Sequence, residues 1–228
     1  MSVSFCREIA ECRRKLREIP DGHLLFLDET ALRVSEAPTH TIVLPGERPF
    51  VIAEDTSSYA KRYDMIACCT SKETLPPIIF APNDHERRNG INAEMLHSYI
   101  RDFLAQAIGA LDRYPLSDTL AIDRASIHNA DKMLREFHDW GCQELVEIVK
   151  IPSMSAKRLS PFDNSIFHDW KERIRQHAPI TSENIRQLMN DEWVNLPSSY
   201  LEAHYQHCLL KPRQRLYGDC PLPSVHRH

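Results

Sequence analysis

The chain of 228 residues has 42% hydrophobic and 26% charged residues and a formal net charge of −4. This composition is that of a globular protein with one sizeable core, and the slight negative charge argues against a surface coated with basic residues for nucleic acid. No apolar run reaches the roughly 20 residues of a membrane span, and charged residues interrupt the N-terminal region too early for a signal peptide, so we expect no membrane contact and no secretion.

The seven cysteines include no CxxC pair, which argues against a zinc ribbon or finger. Their number is odd, and Cys68 and Cys69 are sequence neighbours that would face opposite sides of a strand. We therefore expect reduced thiols in an intracellular protein.

The first predicted elements are a charged helix over residues 4–18 and a buried strand that starts at Leu24. The strand is a short unbroken apolar run that leads directly into Asp28 and Glu29, and such a run is typical of a strand buried on both faces. A carboxylate at its exit is costly unless it is paired, hydrogen-bonded or bound to metal. Asp28 is thus predicted to be the first ligand of a divalent-metal site for phosphodiester chemistry.

The rest of the chain changes from strand-like to helical periodicity. Short β-prone runs predict strands over residues 41–44, 50–53, 64–70, 77–81, 120–122 and 145–149. Helical spacing predicts helices over residues 92–111, 129–140, 164–177, 182–196 and 198–210, in which Trp140, Trp170 and Trp193 occupy apolar positions. Early antiparallel strands followed by β-α-β-α units indicate an α/β fold with a mixed sheet flanked by helices.

A second and a third acid follow this order of elements. Asp123 ends a predicted strand, as Asp28 does, and Asp163 stands where a helix begins. If the two strands are neighbours, their carboxylates emerge at the same edge of the sheet, and oxygen ligands are those that Mg²⁺ prefers. Two such ions about 3.5–4 Å apart can activate an attacking oxygen and steady a leaving one. Spacing alone leaves open that these aspartates are only turn formers or helix caps.

Three segments resemble the catalytic core of mariner-superfamily DDE/D transposases: FLDET around Asp28, IDRASIHNA around Asp123, and KIPSMSAKRLSPFDNSIFHDWKERIR around Asp163. The resemblance covers roughly residues 20–210. It implies an RNase H-like fold, Mg²⁺ or Mn²⁺ as the cofactor, and DNA as the partner. It also implies a possible homodimer, no small-molecule cofactor, and a location in the nucleus if the host is eukaryotic.

The resemblance carries Asp28 and Asp123 over as metal ligands, and it is less direct for the third acid. A gapless match places Phe167 where many relatives have an acid, and Phe cannot bind metal. We expect Asp163 to be the third ligand, with Asp169 as the fallback. If neither reaches the metals, this copy is catalytically inactive.

Other residues near the acids have a functional and a plain structural interpretation. Glu29 could assist metal binding, but neighbouring strand residues point in opposite directions, so we expect it to face solvent or cap a loop. His128 matches a histidine of the family string and is predicted either to orient a phosphate or a ligand near Asp123, or to pack against or cap the helix that follows. Arg124, where relatives usually carry Asn, could contact DNA or disturb the metal site.

Positive charge is concentrated around the third acid and suits contact with DNA phosphates, although a solvated helix face explains part of it nearly as well. The predicted DNA-binding residues are Lys150, Lys157, Arg158, Arg124 and His128.

These features lead to a prediction of three segments: an N-terminal helix and linker over residues 1–19, a DDE/D catalytic domain over 20–210, and a disordered tail over 211–228. The predicted function is Mg²⁺-dependent DNA cleavage and strand transfer in transposition. Only a short stretch precedes Asp28, so we expect the family's N-terminal DNA-binding modules to be missing and binding to transposon ends to be weak. The alternatives are an inactive or domesticated remnant that binds nucleic acid or protein, and an unrelated α/β protein whose acids are caps.

Overall fold

The computed structural model describes residues 3–20, 22–34, 45–46, 48, 61–82, 84, 90–111, 118–177 and 179–209. One five-stranded sheet has the strand order β3-β2-β1-β4-β5. Its strands are β1 Leu24–Arg33, β2 Arg62–Cys69, β3 Ile78–Phe80, β4 Asp118–Ile122 and β5 Leu145–Lys150. Strands β1, β2 and β3 are antiparallel, whereas β1, β4 and β5 are parallel. The predicted mixed sheet is confirmed. The predicted strands 41–44 and 50–53 and the tail 211–228 lie outside the described residues.

Helices cover both faces of this sheet. They are α1 Val3–Glu18, α2 Ala93–Tyr99, α3 Ala105–Gly109, α4 Ala130–Asp139, α5 Ala156–Leu159, α6 Phe167–Arg175, α7 Ile185–Val194 and α8 Ser198–Leu209. A π-helical segment, Ile100–Leu104, joins α2 to α3, and another, Phe162–Ile166, leads into α6. The side chains of Asn92 and Asn129 accept backbone hydrogen bonds at the starts of α2 and α4, as N-cap residues do.

Two hydrophobic cores lie on opposite faces of the sheet, because successive side chains of a strand alternate between its faces. Leu24 and Phe26 of β1 belong to the core formed with α1 and α5–α8. Leu25 and Leu27 belong to the core formed with α2–α4. The prediction that this strand is buried on both faces is therefore confirmed.

The predicted packing of the tryptophans is confirmed for two of the three. Trp170 and Trp193 are fully buried, and each indole N–H donates to a backbone carbonyl, that of Met189 and that of Leu75, respectively. Trp140 is 53% exposed, so its predicted packing is wrong. It is the C-cap residue of α4, directly after the last helical residue, Asp139.

Strand β1 continues well beyond the predicted end at Asp28. It pairs with β2 from Phe26 opposite Cys69 to Arg33 opposite Arg62, and this antiparallel ladder keeps the chain extended. Its pairing with β4 covers only the first three residues and ends at Phe26. Asp28 therefore lies within the strand, at the point where the edge that faces β4 becomes open.

The helices and the cysteines bear on two expectations from the sequence, the absence of membrane contact and the reduced state of the thiols. None of the helices in the described part of the chain is long and apolar enough to cross a membrane. Cys12, Cys68, Cys69, Cys142 and Cys208 are free thiols, as predicted. Cys6 is disulfide-bonded, which corrects the expectation that every cysteine is reduced.

Candidate metal centre

The register of β1 and β4 brings the first two acids to the same place. Phe26 is paired with Ala121, and Asp28 and Asp123 each lie two residues further along the parallel strands. Residues two apart on a strand share a face, so Asp28 lies on the same face as Phe26. The parallel register thus brings both acids together just past the end of the β1–β4 pairing, at one edge as predicted, although β1 itself continues beyond Asp28.

Asp163 reaches this edge from the π-helical segment before α6. Phe162 anchors the segment in the core, where its ring stacks on Phe167 and Trp193 at centroid distances of 4.6 and 5.7 Å. The side chain of Asp163 accepts no hydrogen bond from the described residues, and the segment's N-cap residue is Pro161. The interpretation of Asp163 as a plain N-cap residue therefore does not fit this geometry.

The three aspartates lie close enough for their charges to interact. Burial raises the pKa of Asp28 well above its ordinary value near 3.8, and the charges of Asp163, Glu29 and Asp123 raise it further. The pKa of Asp163 is also raised, first because neighbouring atoms displace its water and then because Asp123 is close. Asp28 and Asp163 thus have neighbouring carboxylates that oppose their ionisation, and a bound cation relieves such an environment.

Asp123 differs from the other two acids because it has hydrogen-bond donors. His128 Nδ1 lies 2.6 Å from its Oδ1, and the N–H of Ala125 donates to the same oxygen at 2.8 Å. The hydrogen bond from His128 lowers the pKa of Asp123 below its usual range despite partial burial. Asp123 is therefore the acid that most readily stays ionised when the site is empty of cations.

His128 bridges two carboxylates. Its Nε2 lies 2.8 Å from Oε1 of Glu29, and its side chain is fully buried. Burial alone would lower the pKa of His128, but the hydrogen bonds to Asp123 and Glu29 outweigh it and raise the pKa to about 10. Both ring nitrogens therefore donate at neutral pH. With both engaged in the interior, the ring has no free nitrogen for a DNA phosphate, so this geometry does not support the predicted DNA contact.

Glu29 lies on the face opposite Asp28, as the alternation of the strand requires, but it does not point into solvent. Its side chain is 19% exposed and rests against His128. The sequence contains the alternation, but it does not show that the turn before α4 covers this face. The structure therefore does not place Glu29 in solvent, and its side chain lies against the histidine that contacts Asp123.

Asp169, the fallback third acid, belongs to a different cluster. Its Oδ2 accepts a hydrogen bond from the hydroxyl of Tyr200 at 2.7 Å, and His204 Nε2 lies 3.9 Å away. Among the described residues it is not one of the charges that shift the pKa of Asp28, Asp123 or Asp163. The structure therefore groups Asp163, and not Asp169, with the first two acids.

The predicted DNA-binding residues with basic side chains differ in their exposure and in how close they lie to the three aspartates. Lys157 in α5 is exposed, and its charge lowers the pKa of Asp163, so it lies close to the third acid. Lys150 is exposed at the end of β5, opposite the residue that precedes Asp123, and Arg158 is half-buried in α5. Arg124 forms an ion pair of 2.5 Å with Glu8 of α1, so its charge is engaged within the protein.

The donor atoms suit a hard divalent cation. Oδ1 of Asp28 accepts the N–H of Glu29 at 2.8 Å, and Oδ2 of Asp28 and Oδ2 of Asp123 have no hydrogen-bond partner among the described residues. Carboxylate oxygens are the ligands that Mg²⁺ and Mn²⁺ take. Within the described ranges, however, no three His, Cys, Asp or Glu side chains are already assembled as a metal-binding group. The three aspartates are therefore near one another, but their side chains are not already gathered into a metal-binding group.

No protein-family model and no curated protein sequence matches the chain. Among solved structures, the catalytic domain of Mos1 mariner transposase matches at 11% identity and a TM-score of 0.64, over 92% of this chain and 91% of that one. The Mos1 mariner paired end complex with Mn matches at 13% identity and a TM-score of 0.67, over 92% of this chain and 61% of that one. The Mos1 paired-end complex with the left transposon end matches at 12% identity and a TM-score of 0.66.

These likenesses establish the fold. The chain spans about 60% of the length of the transposase chains in the DNA complexes, and it spans nearly all of the isolated catalytic domain. The predicted resemblance to the mariner transposase catalytic domain is confirmed at the level of its RNase H-like fold.

Proposed function

We propose that this chain is a DDE/D transposase catalytic domain that cleaves DNA phosphodiester bonds with Mg²⁺ or Mn²⁺ and joins a 3′-hydroxyl to target DNA. One observation carries the proposal: at one edge of the sheet the charges of Asp163 and Asp123 raise the pKa of Asp28, and the charge of Asp123 raises that of Asp163. They do so on the fold of a transposase catalytic domain.

In this proposal the three aspartates hold the cations through oxygens that have no other partner among the described residues. When bound, the cations supply Lewis acidity to the scissile phosphate and to the attacking oxygen. Binding also relieves the repulsion that raises the pKa of Asp28 and Asp163.

DNA is the proposed substrate because the solved relatives include transposase structures with a transposon end. Lys150 and Lys157 are exposed beside the acids, where they can neutralise the phosphates that flank the scissile bond. No side chain needs to act as the nucleophile. The residues of this chain bind the phosphate backbone, hold the cations and keep Asp123 ionised through His128.

The test is nicking of supercoiled plasmid by the full chain in Mn²⁺ or Mg²⁺, with Asp28→Asn, Asp123→Asn and Asp163→Asn as variants. Each variant should lose at least about a hundredfold in nicking rate. Removing a residue that only hydrogen-bonds to a metal ligand typically costs 10–100-fold in metal affinity or activity, and removing the ligand itself should cost more. Asp169→Asn is the matched control. It is the same substitution six residues further along the chain, at an aspartate that contacts Tyr200. It should keep the nicking rate within about threefold of wild type.

Calorimetric titration with Mn²⁺ separates this proposal from a remnant that binds nucleic acid without chemistry. The wild type should bind Mn²⁺, and the three variants should bind it more weakly. Equal nicking by the wild type and the three variants would contradict the proposal, as would DNA binding by a wild type that takes up no Mn²⁺.

A further inference from the structure

A chain of hydrogen bonds ties the second acid to the strand of the first. Asp123 Oδ1 contacts His128 Nδ1 at 2.6 Å, and His128 Nε2 contacts Glu29 Oε1 at 2.8 Å. Glu29 is the strand neighbour of Asp28. The two contacts therefore connect the carboxylate of Asp123 to the strand residue that follows Asp28.

We propose that Glu29 and His128 form a positioning pair that fixes Asp123 relative to Asp28 and so prepares the site for a divalent cation. This inference rests on the proposed function. Neither residue needs to contact metal or DNA to play this part. Partners of this kind behind metal ligands orient the ligands and tune their affinity.

The position of Asp123 shows why such a pair is needed. Strand β4 ends at Ile122, so Asp123 lies in a loop that no ladder hydrogen bonds hold, whereas Asp28 is fixed within β1 by its pairing with Ala67. The loop returns to regular structure only where Asn129 caps α4. Without another restraint, the separation of the two carboxylates would depend on the conformation of that loop.

The pair supplies this restraint from a rigid place. The ring of His128 is fully buried and directly precedes the helix cap, and Met133 in the first turns of α4 is fully buried in the core. Both donors to Asp123, the imidazole and the N–H of Ala125, reach Oδ1. They leave Oδ2 as the oxygen that is available to a cation, so the pair selects which oxygen of Asp123 serves the site.

The same two strands contain a matched pair at their opposite ends. His23 Nδ1 lies 2.9 Å from Asp118 Oδ1, and both side chains are buried. His23 comes just before β1, and Asp118 starts β4. This second buried histidine–carboxylate contact has the same chemistry and a comparable burial, but it lies far along the strands from the three acids. It therefore serves as a control for a purely structural role.

The experiment measures Mn²⁺ affinity by calorimetry and the melting temperature of the metal-free full chain, for Glu29→Gln, His128→Asn and His23→Asn. His128→Asn keeps a donor near Asp123 but cannot reach Glu29. Glu29→Gln keeps the shape and removes the charge. We expect both to weaken Mn²⁺ binding by roughly 10–100-fold. His23→Asn should lower the melting temperature yet leave Mn²⁺ affinity within about twofold of wild type.

The double variant Glu29→Gln/His128→Asn completes the cycle. If the residues act as one pair, it should bind Mn²⁺ about as weakly as the poorer single variant, and additive losses would contradict the pairing. Mn²⁺ affinity that is equal in His128→Asn and His23→Asn would overturn the inference. Where His128→Asn does not fold, the milder Glu29→Gln decides, and wild-type affinity in that variant overturns the inference.

Variants of the acids show which proposal has failed. If Asp28→Asn and Asp123→Asn lose Mn²⁺ binding while the pair variants keep it, the positioning pair is wrong and the proposed function stands. If the wild type itself binds no Mn²⁺, the proposed function fails, and the positioning pair fails with it.

Discussion

At Asp28, burial and the neighbouring carboxylates act in the same direction. Both raise its pKa, so the metal-free protein is penalised for holding this residue ionised at neutral pH. Asp123 escapes the penalty through His128, which lowers its pKa. The site thus consists of one acid kept ionised by a hydrogen-bonded cation and two acids whose ionisation is opposed.

We expect the Asp28→Asn variant to melt at a higher temperature than the wild type in EDTA at pH 7. A carboxyl with a raised folded pKa contributes stability that is fully present below its unfolded pKa and is lost as pH rises through the folded value. The neutral amide avoids this loss. The gain should be a few degrees, because about 1 kcal/mol corresponds to roughly 2–4 °C in a domain of this size. It should fade as pH falls to about 3.5, below the ordinary value for Asp.

Saturating Mn²⁺ should reverse the order in the same melting experiment, because the wild type gains stability from the bound cation and the variant gains less. Asp169→Asn is the control and should respond to Mn²⁺ as the wild type does. An Asp28→Asn variant that melts at or below the wild-type temperature in EDTA would show that the carboxylates do not repel one another in the folded protein.

Sequence reasoning located individual residues where a local pattern exists and missed those that depend on packing between elements. Asp28 and Asp123 were found because an acid after an apolar run is conspicuous. Asp163 could be chosen over Asp169 only by resemblance, and the contact of Asp169 with Tyr200 requires α8 to lie beside α6. The role of Glu29 depends in the same way on the position of His128, 99 residues further along the chain.

At the scale of elements, β1 differs most from its prediction. The residues after Asp28 form no continuous apolar run and were not predicted to continue the strand, yet the ladder with β2 extends it to Arg33. Pairing is a property of two segments, so the sequence of one segment cannot determine where it ends. The functional consequence is that Asp28 is held by backbone hydrogen bonds on one side and open on the other.

Helix α1 makes a contact that bears on DNA binding. Glu8 pairs with Arg124, next to the second acid, and both side chains are 43% exposed. We expect the Glu8→Gln variant to bind DNA more tightly, because it frees Arg124 for phosphate contact. An exposed ion pair is worth about 0.2–1 kcal/mol, so the gain in affinity should not exceed about fivefold. Fluorescence anisotropy with a short duplex in EDTA measures it.

Glu18→Gln is the matched control for this change. Glu18 lies on the same helix and pairs with Arg14 one turn before it. Both substitutions remove one negative charge from α1, so a general electrostatic effect would raise DNA affinity equally. A gain confined to Glu8→Gln would support the release of Arg124, whereas equal gains in the two variants would contradict it.

For the whole molecule, the order of strand-like and helical segments was enough to predict a mixed sheet covered by helices. What the order could not supply was the strand sequence β3-β2-β1-β4-β5, which places β1 in the centre beside β4. This central position gives the two acids adjacent strands and a common edge. The topology thus brings Asp28 and Asp123, which are distant in sequence, close together.

The whole chain carries a net charge of −4, so its DNA affinity must come from a local strip of cations. We expect binding by the cations beside the acids to give a slope of log affinity against log salt of about −2.7 to −3.6, as for three to four neutralised phosphates. Lys157→Ala should make this slope shallower by about 0.9 in metal-free buffer. Arg101→Ala is the control, since Arg101 is paired with Asp102 on the other helical layer, and should leave the slope unchanged. A slope that Lys157→Ala and Arg101→Ala change equally would mean that DNA does not lie along the acidic edge.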